Sequence, residues 1–142
     1  MSRMKHVSTF VWNLKDKFEF DHVDVLINNA ATAPDANDRQ ESSEGLEKIM
    51  ATNYLGPLHL TNSLFPLLSE DGIVINMIHT INETLEVDLD NINSELNYDA
   101  ASIYQKSKHY LYLITQEMAL RFKKTKPGTM IHYIIFFNLN IS

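Results

Sequence analysis

The sequence contains no cysteine and little glycine. The absence of cysteine excludes a disulfide framework, thiolate-bound zinc and a cysteine nucleophile. The chain has 4 glycines in 142 residues, whereas about ten would be usual at roughly 7% glycine. Even the closest two, Gly45 and Gly56, are too far apart for the glycine-rich loops that hold phosphate at a helix N-terminus. The chain therefore has no phosphate-binding loop of its own.

The sequence also lacks a net positive charge, histidines four residues apart and long apolar runs. The net charge of −6 argues against nucleic acid or an anionic membrane surface as a partner. No two of the 6 histidines are four residues apart, so we expect no metal site. The longest nearly apolar run, residues 130–137, is too short to cross a bilayer, and the N-terminus lacks a signal-type apolar region. We expect no transmembrane segment and a cytoplasmic location.

Apolar runs alternate with helical patterns along the chain. Buried strands are predicted at residues 23–27, 73–78 and 129–137. Helices are predicted at residues 8–19, 43–69 and 99–124. We expect Ser42 or Ser43 to cap the second helix, because a serine hydroxyl accepts from the first free N–H groups. This alternation predicts an α/β fold with a parallel sheet and right-handed crossovers.

Tyr104 and Lys108 are the first candidates for chemistry. In a helix, residues four apart lie on one face. An ammonium beside a phenol stabilises the phenolate and favours proton transfer to or from an alcohol or carbonyl oxygen. The pattern Y-x-x-x-K is also common on helix surfaces, where it means only an amphipathic tyrosine beside a solvated lysine.

Asn53 is a polar residue on the apolar stripe of the second helix. Pro57 has no N–H, so a helix that continues through it leaves the Asn53 carbonyl without its usual partner, and water is the obvious replacement. The alternative is a simple kink with an internally satisfied asparagine. Asn28 and Asn29 follow the first strand, where open α/β sheets bind ligands, unless they only form a turn.

Together these segments resemble the short-chain dehydrogenase/reductase family. Residues 25–30 (VLINNA) resemble its N-N-A-G strand end, residues 52–56 (TNYLG) its T-N-x-x-G segment, and residues 104–108 (YQKSK) match Y-x-x-S-K. Residues 113–120 (LITQEMAL) are similar to the retinol dehydrogenase and WW-domain oxidoreductase branch. The order and spacing of the motifs agree with the family from about residue 9 to residue 133.

The resemblance implies a fold and a set of roles. The fold would be part of a Rossmann-like doubly wound parallel sheet, with about three strands and three helices. Residues 1–142 would then form a single domain, the C-terminal portion of an NAD(P)-binding domain truncated at its N-terminus. The implied catalytic residues are Tyr104 as general acid/base, Lys108 as its partner, and Asn53, whose carbonyl holds a relay water. The implied cofactor-binding residues are Asn28, Asn29, Ala30, Tyr104 and Lys108.

The sequence also departs from the family pattern. His79 stands 25 residues before Tyr104, where the retinol dehydrogenase branch has its catalytic serine. His79 could donate a hydrogen bond to a substrate oxygen, and Thr80 could serve only if the loop slips by one residue. Ala31 replaces the glycine of N-N-A-G, and no P-G follows the last predicted strand.

The resemblance implies an oxidoreductase that uses NADP or NAD to interconvert a small-molecule alcohol and a carbonyl. We expect this chain alone to be inactive or weak, because the phosphate-binding loop and the catalytic serine are both absent. The alternative is a non-catalytic remnant or pseudoenzyme that acts as an interaction or dimerisation module. Helices 43–69 and 99–124 resemble the family's dimer helices, so we expect a homo-oligomer. The first strand would expose an unpaired apolar edge.

Overall fold

The computed structural model describes residues 2–34, 38–78 and 84–135. Its helices and strands alternate, as the apolar patterns predict. In chain order they are α1 (Met4–Trp12), a π-helical turn (Asn13–Lys17), β1 (Val23–Asn28), α2 (Lys48–Met50), a second π-helical turn (Ala51–Leu55), α3 (Gly56–Leu64), a 3₁₀ turn (Phe65–Leu67), β2 (Leu68–Ile78), α4 (Ala100–Thr125) and β3 (Met130–Ile135).

The three strands of the described residues form one parallel sheet in the order β1-β2-β3. Asn28 of β1 is level with Asn76 of β2, and Asn76 is level with Tyr133 of β3. The strands therefore present their carboxyl ends at one common edge. This architecture confirms the predicted α/β class and the partial Rossmann-like sheet.

The second helix begins later than its sequence pattern predicts. It starts at Lys48, and the carboxylate of Glu47 accepts a hydrogen bond from the Met50 N–H at 2.6 Å, so the prediction of a Ser42 or Ser43 cap is wrong. Residues 42–46 form a turn, in which Gly45 has a φ of +75° that side-chain-bearing residues rarely adopt. The continuous helix predicted at 43–69 is therefore shorter at both ends, with α3 ending at Leu64.

Among the described residues, helices cover one face of the sheet, which carries the core, and leave the other face open. Helices α3 and α4 pack on the covered face around five buried residues, Leu68, Val74, Met118, Phe122 and Ile131. Successive side chains of a strand point to opposite faces. The intervening apolar residues of the outer strands, Val25, Ile27, Met130 and Ile134, are about half exposed. We call these four residues the open sheet face.

Helix α4 is long but carries charged and polar residues throughout its length. Within the described ranges, no helix combines the length and the apolar character needed to cross a membrane.

Candidate active site

The site is built on the first half of α4. The side chain of Asp99 caps this helix by accepting from the Ser102 N–H at 2.8 Å, which fixes where the helix begins. Tyr104 and Lys108 follow one turn apart, so they share a helix face as predicted. Lys108 reaches the carboxyl end of β2, where its Nζ donates to the Met77 carbonyl at 3.0 Å. The pair therefore lies at the edge of the sheet where the strands end.

Lys108 is an unusually buried lysine. The residue is 6% exposed, and burial lowers the pKa of its ammonium because the charged form loses its hydration. Tyr104 is half-buried and packs against the apolar cluster of Ile49, Met50, Ile103 and Tyr110. A cation held in a partly desolvated site interacts more strongly with a developing phenolate than a solvated one would. Lys108 is therefore not the solvated surface lysine of the alternative interpretation.

Asn53 lies in the π-helical turn and is wholly buried. Its Oδ1 accepts from the Thr32 N–H at 2.8 Å, and its Nδ2 donates to the Thr32 carbonyl at 2.9 Å. The same Nδ2 donates to Ser107 Oγ at 3.1 Å. The side chain is therefore internally satisfied. The helix runs on through Pro57, which offers the Asn53 carbonyl no N–H.

Ser107 joins Asn53 to the tyrosine. It is wholly buried, and its hydroxyl donates to the Tyr104 carbonyl at 2.7 Å. The structure therefore brings together three of the predicted catalytic residues, Tyr104, Lys108 and Asn53, with Ser107 among them. In the sequence Ser107 occurs as the serine of the Y-x-x-S-K match, and no role was predicted for it. Its position four residues from both Ile103 and Leu111, on an apolar helix face, was the available signal.

Asn28 takes part in a separate buried network. Its Nδ2 donates to Thr61 Oγ1 at 3.0 Å and to Asn76 Oδ1 at 2.7 Å. Asn76 in turn donates to Thr115 Oγ1 at 2.8 Å. We call these four residues the polar ladder; it links β1, β2, α3 and α4 through the core. Its members beyond Asn28 were missed from the sequence, although Asn76 interrupts an otherwise apolar strand.

The remaining predicted residues fall in different places. Asn29 and Ala30 are exposed, directly after the end of β1. The Oδ1 atom of Asn28 is buried and has no hydrogen-bond partner within the described ranges. His79 and Thr80 lie outside the described residues. Among those that are described, no group of three or more His, Asp or Glu side chains could hold a metal ion.

Comparison with known proteins assigns the family. The family described as short chain dehydrogenase matches residues 1–134. The chain belongs to the short-chain dehydrogenase family. This confirms the resemblance drawn from the N-N-A, T-N-x-x-G and Y-x-x-S-K segments.

Curated short-chain dehydrogenase relatives match most of the chain. Dehydrogenase/reductase SDR family member 12 of Bos taurus is 33% identical over 127 residues, which cover 83% of this chain and 39% of that protein. Retinol dehydrogenase 14 of Mus musculus is 32% identical over 105 residues, which cover 72% of this chain and 31% of that protein. The chain thus spans less than half the length of these relatives. These relatives agree with the resemblance to the retinol dehydrogenase branch that the sequence motifs indicated.

Solved short-chain dehydrogenase structures share the fold. The match to a metagenomic short-chain oxidoreductase in complex with NADP covers 94% of this chain and 55% of that chain. Its TM-score is 0.66 and the sequence identity is 17%. The match to an oxidoreductase of Brucella ovis in complex with a partially ordered NAD covers 94% of this chain and 58% of that chain. Its TM-score is 0.66 and the sequence identity is 23%. These likenesses establish the Rossmann-like fold of the matched portion.

Proposed function

We propose that this chain carries the catalytic residues of an NADP- or NAD-dependent oxidoreductase that interconverts an alcohol and a carbonyl, as in the retinol dehydrogenase-like branch. The observation that carries the proposal is the buried Lys108, anchored on the Met77 carbonyl at the sheet edge and one helical turn from Tyr104. Asn53 is held beside this pair through Ser107.

The residues present fit one half of a nicotinamide dinucleotide. An ammonium has three N–H donors. In the described part of the chain only the Met77 carbonyl accepts from Lys108, which leaves donors for the hydroxyl oxygens of a ribose. None of the 4 glycines stands in a phosphate-binding loop pattern, so the sequence offers no comparable motif for the pyrophosphate. We therefore expect weak binding by this chain alone.

The proton chemistry falls to Tyr104. When bound, the nicotinamide supplies hydride transfer to or from the substrate carbon. Tyr104 donates its hydroxyl proton to the carbonyl oxygen in reduction, and its phenolate takes the alcohol proton in oxidation. Lys108 stabilises that phenolate by its positive charge. Asn53 and Ser107 hold the helix turn that carries both side chains, and the proposed role of the Asn53 carbonyl is to hold a relay water.

A cofactor titration tests the proposal. The chain is titrated with NADPH and with NADH while nicotinamide fluorescence is followed. We expect saturable binding with a dissociation constant up to about 1 mM, which corresponds to only about 4 kcal/mol. Lys108→Met weakens this binding, whereas the matched variant Lys106→Met, on the same helix, leaves it unchanged. Absence of a fluorescence change at several times that concentration with both cofactors would contradict the proposal.

A second candidate function is an interaction or dimerisation module without catalysis. The open sheet face favours it, because Val25 and Ile27 are each about half exposed. Association would use this face or the helices predicted at 43–69 and 99–124. Concentration-dependent association, together with no change in nicotinamide fluorescence in the cofactor titration, would support this candidate over the oxidoreductase. A cytoplasmic location stays a prediction for either function.

A further inference from the structure

The side-chain amide of Asn53 has no hydrogen-bonding capacity to spare on its nitrogen. Both Nδ2 hydrogens are used, one on the Thr32 carbonyl at 2.9 Å and one on Ser107 Oγ at 3.1 Å. Its oxygen accepts from the Thr32 N–H at 2.8 Å. The amide thus pairs with Thr32 as a neighbouring strand would, although β1 has already ended at Asn28. The backbone after β1 is therefore held by the Asn53 side chain and not by the backbone of a neighbouring strand.

The Ser107 hydroxyl donates one hydrogen bond and accepts another. Its proton goes to the Tyr104 carbonyl at 2.7 Å, and its oxygen accepts from Asn53. A helical serine commonly bonds back to its own preceding turn, so the first contact is local. The second is not local, since Asn53 lies 54 residues earlier in the chain. In an α-helix the Tyr104 carbonyl is also the acceptor for the Lys108 backbone N–H.

We infer that Ser107 is a positioning residue that acts through Asn53 and couples the backbone of Thr32 to the helix turn carrying Tyr104 and Lys108. Thr32 belongs to the segment that follows the carboxyl end of β1, at the sheet edge where the nicotinamide cofactor is proposed to bind. The Ser107–Asn53 contact sets the distance between that segment and the proton-transferring tyrosine. The inference deepens the proposed function and relies on it for its catalytic meaning.

Amide hydrogen exchange at Thr32, resolved by NMR on the whole chain, tests the coupling without cofactor or turnover. Ser107→Ala removes the acceptor for Asn53 Nδ2, and we expect exchange at Thr32 to become about tenfold faster, as for loss of one hydrogen bond. Ser107→Thr keeps the hydroxyl and restores slow exchange. The matched variant Ser102→Ala, in the first turn of the same helix, leaves exchange at Thr32 unchanged.

Two further comparisons separate a specific contact from general loosening. Amides of Val74 and Leu111 in the core keep their protection in Ser107→Ala if the effect is local. In the double variant Asn53→Ala with Ser107→Ala, exchange at Thr32 is no faster than in Asn53→Ala alone, because both changes remove one connection. Unchanged exchange at Thr32 in Ser107→Ala, equal acceleration at the core amides, or additive effects in the double variant would overturn the inference. The cofactor titration fails or succeeds independently of these results.

Discussion

At the scale of single residues, Lys108 illustrates the tension between stability and chemistry. Its ammonium gains the Met77 carbonyl but loses most of its hydration. A charged group buried in this way costs folding free energy that a neutral side chain of similar size would not cost. This buried charge lies one helical turn from Tyr104, where the proposed mechanism uses it to stabilise the phenolate.

The lowered pKa of Lys108 gives a prediction about pH. Below its folded pKa, the lysine is charged in both states and burial opposes folding in full. As pH rises from the folded pKa toward the ordinary lysine pKa of 10.5, the unfolded chain binds more protons than the folded chain, so stability rises. Lys108→Met lacks this titration. At neutral pH we expect Lys108→Met to have a higher free energy of unfolding than the wild type, because it buries no charge. We expect this advantage, measured in urea, to shrink between neutral pH and about pH 10. An advantage that grows with pH would contradict the desolvated lysine.

The polar ladder gives a second prediction at this scale. Asn76→Leu keeps the approximate volume but leaves one N–H of Asn28 Nδ2 without its acceptor. Thr115 Oγ1 loses the donor from Asn76 and keeps only its bond to the Leu111 carbonyl. We expect a loss of about 2–4 kcal/mol in free energy of unfolding, because buried polar groups left unsatisfied carry their desolvation cost. Denaturation in urea measures it. The control, Asn62→Leu on the exposed side of α3, should change stability by less than about 0.5 kcal/mol. Equal effects of the two variants would exclude the ladder as a stabilising network.

At the scale of elements, the second helix shows how a buried side chain outside the proposed catalytic set fixes where a helix begins. Glu47 is wholly buried, caps α2 through the Met50 N–H, and accepts from the Tyr98 hydroxyl at 3.4 Å. Its own N–H donates to Asn93 Oδ1 at 2.7 Å. The start of the helix that carries Asn53 is therefore tied to the segment leading into α4.

Glu47→Ala should test this element. We expect a loss of about 1–2 kcal/mol in free energy of unfolding from the missing cap. Glu47→Gln retains an acceptor oxygen and should recover most of that loss. Urea denaturation with circular dichroism measures both variants. A Glu47→Gln variant as unstable as Glu47→Ala would show that the cap is not the source of the effect.

The sequence predicted β1, β3 and α4 well because their signals are local. The predicted start of β2 at residue 73 is wrong, since β2 begins at Leu68, which pairs with Val23 of β1. Apolar runs mark the three strands, and α4 combines a regular apolar face with a clear stop at Lys126-Pro127-Gly128. The start of the second helix was predicted at Ser42 or Ser43 because serine is a common cap. The turn around Gly45 and the buried cap of Glu47 depend on tertiary contacts with Asn93 and Tyr98, which no local pattern contains.

The candidate site was likewise predictable only where its signals are local in the sequence. Tyr104 and Lys108 could be paired from their spacing, since a helix fixes which residues share a face. The partners of Asn53 could not, because Thr32 and Ser107 lie 21 and 54 residues away in the chain. The family resemblance marked Asn53 through a role for its backbone carbonyl. The use of its side chain became visible only in the folded structure.

At the scale of the whole molecule, the open sheet face exposes apolar side chains from two strands of the sheet. Parallel sheets are usually covered on both faces, yet β1 and β3 expose apolar side chains on the face away from α3 and α4. Val25 and Ile27 are 51% and 56% exposed. An exposed apolar edge strand favours association with other chains. The isolated chain should therefore bind hydrophobic dyes and associate at high concentration.

Ile27→Lys tests this surface. A charge on the open sheet face should reduce both dye fluorescence and the concentration dependence of sedimentation, with little change in the covered core. Leu96→Lys is the matched control, because Leu96 is 67% exposed in the segment before α4 and lies outside this face. If the two substitutions reduce association equally, the sheet face is not the site of contact.

The most direct measurement of the central claim is oxidation of the reduced nicotinamide cofactor by a carbonyl substrate in the presence of the chain. The absorbance of NADPH or NADH is followed with saturating aldehyde, for the wild type, Tyr104→Phe and the matched variant Tyr112→Phe on the same helix. We predict a slow rate above the protein-free reaction that Tyr104→Phe abolishes and Tyr112→Phe retains. A rate equal to the protein-free reaction, or one that Tyr104→Phe leaves intact, would contradict Tyr104 and Lys108 as the catalytic pair of this chain.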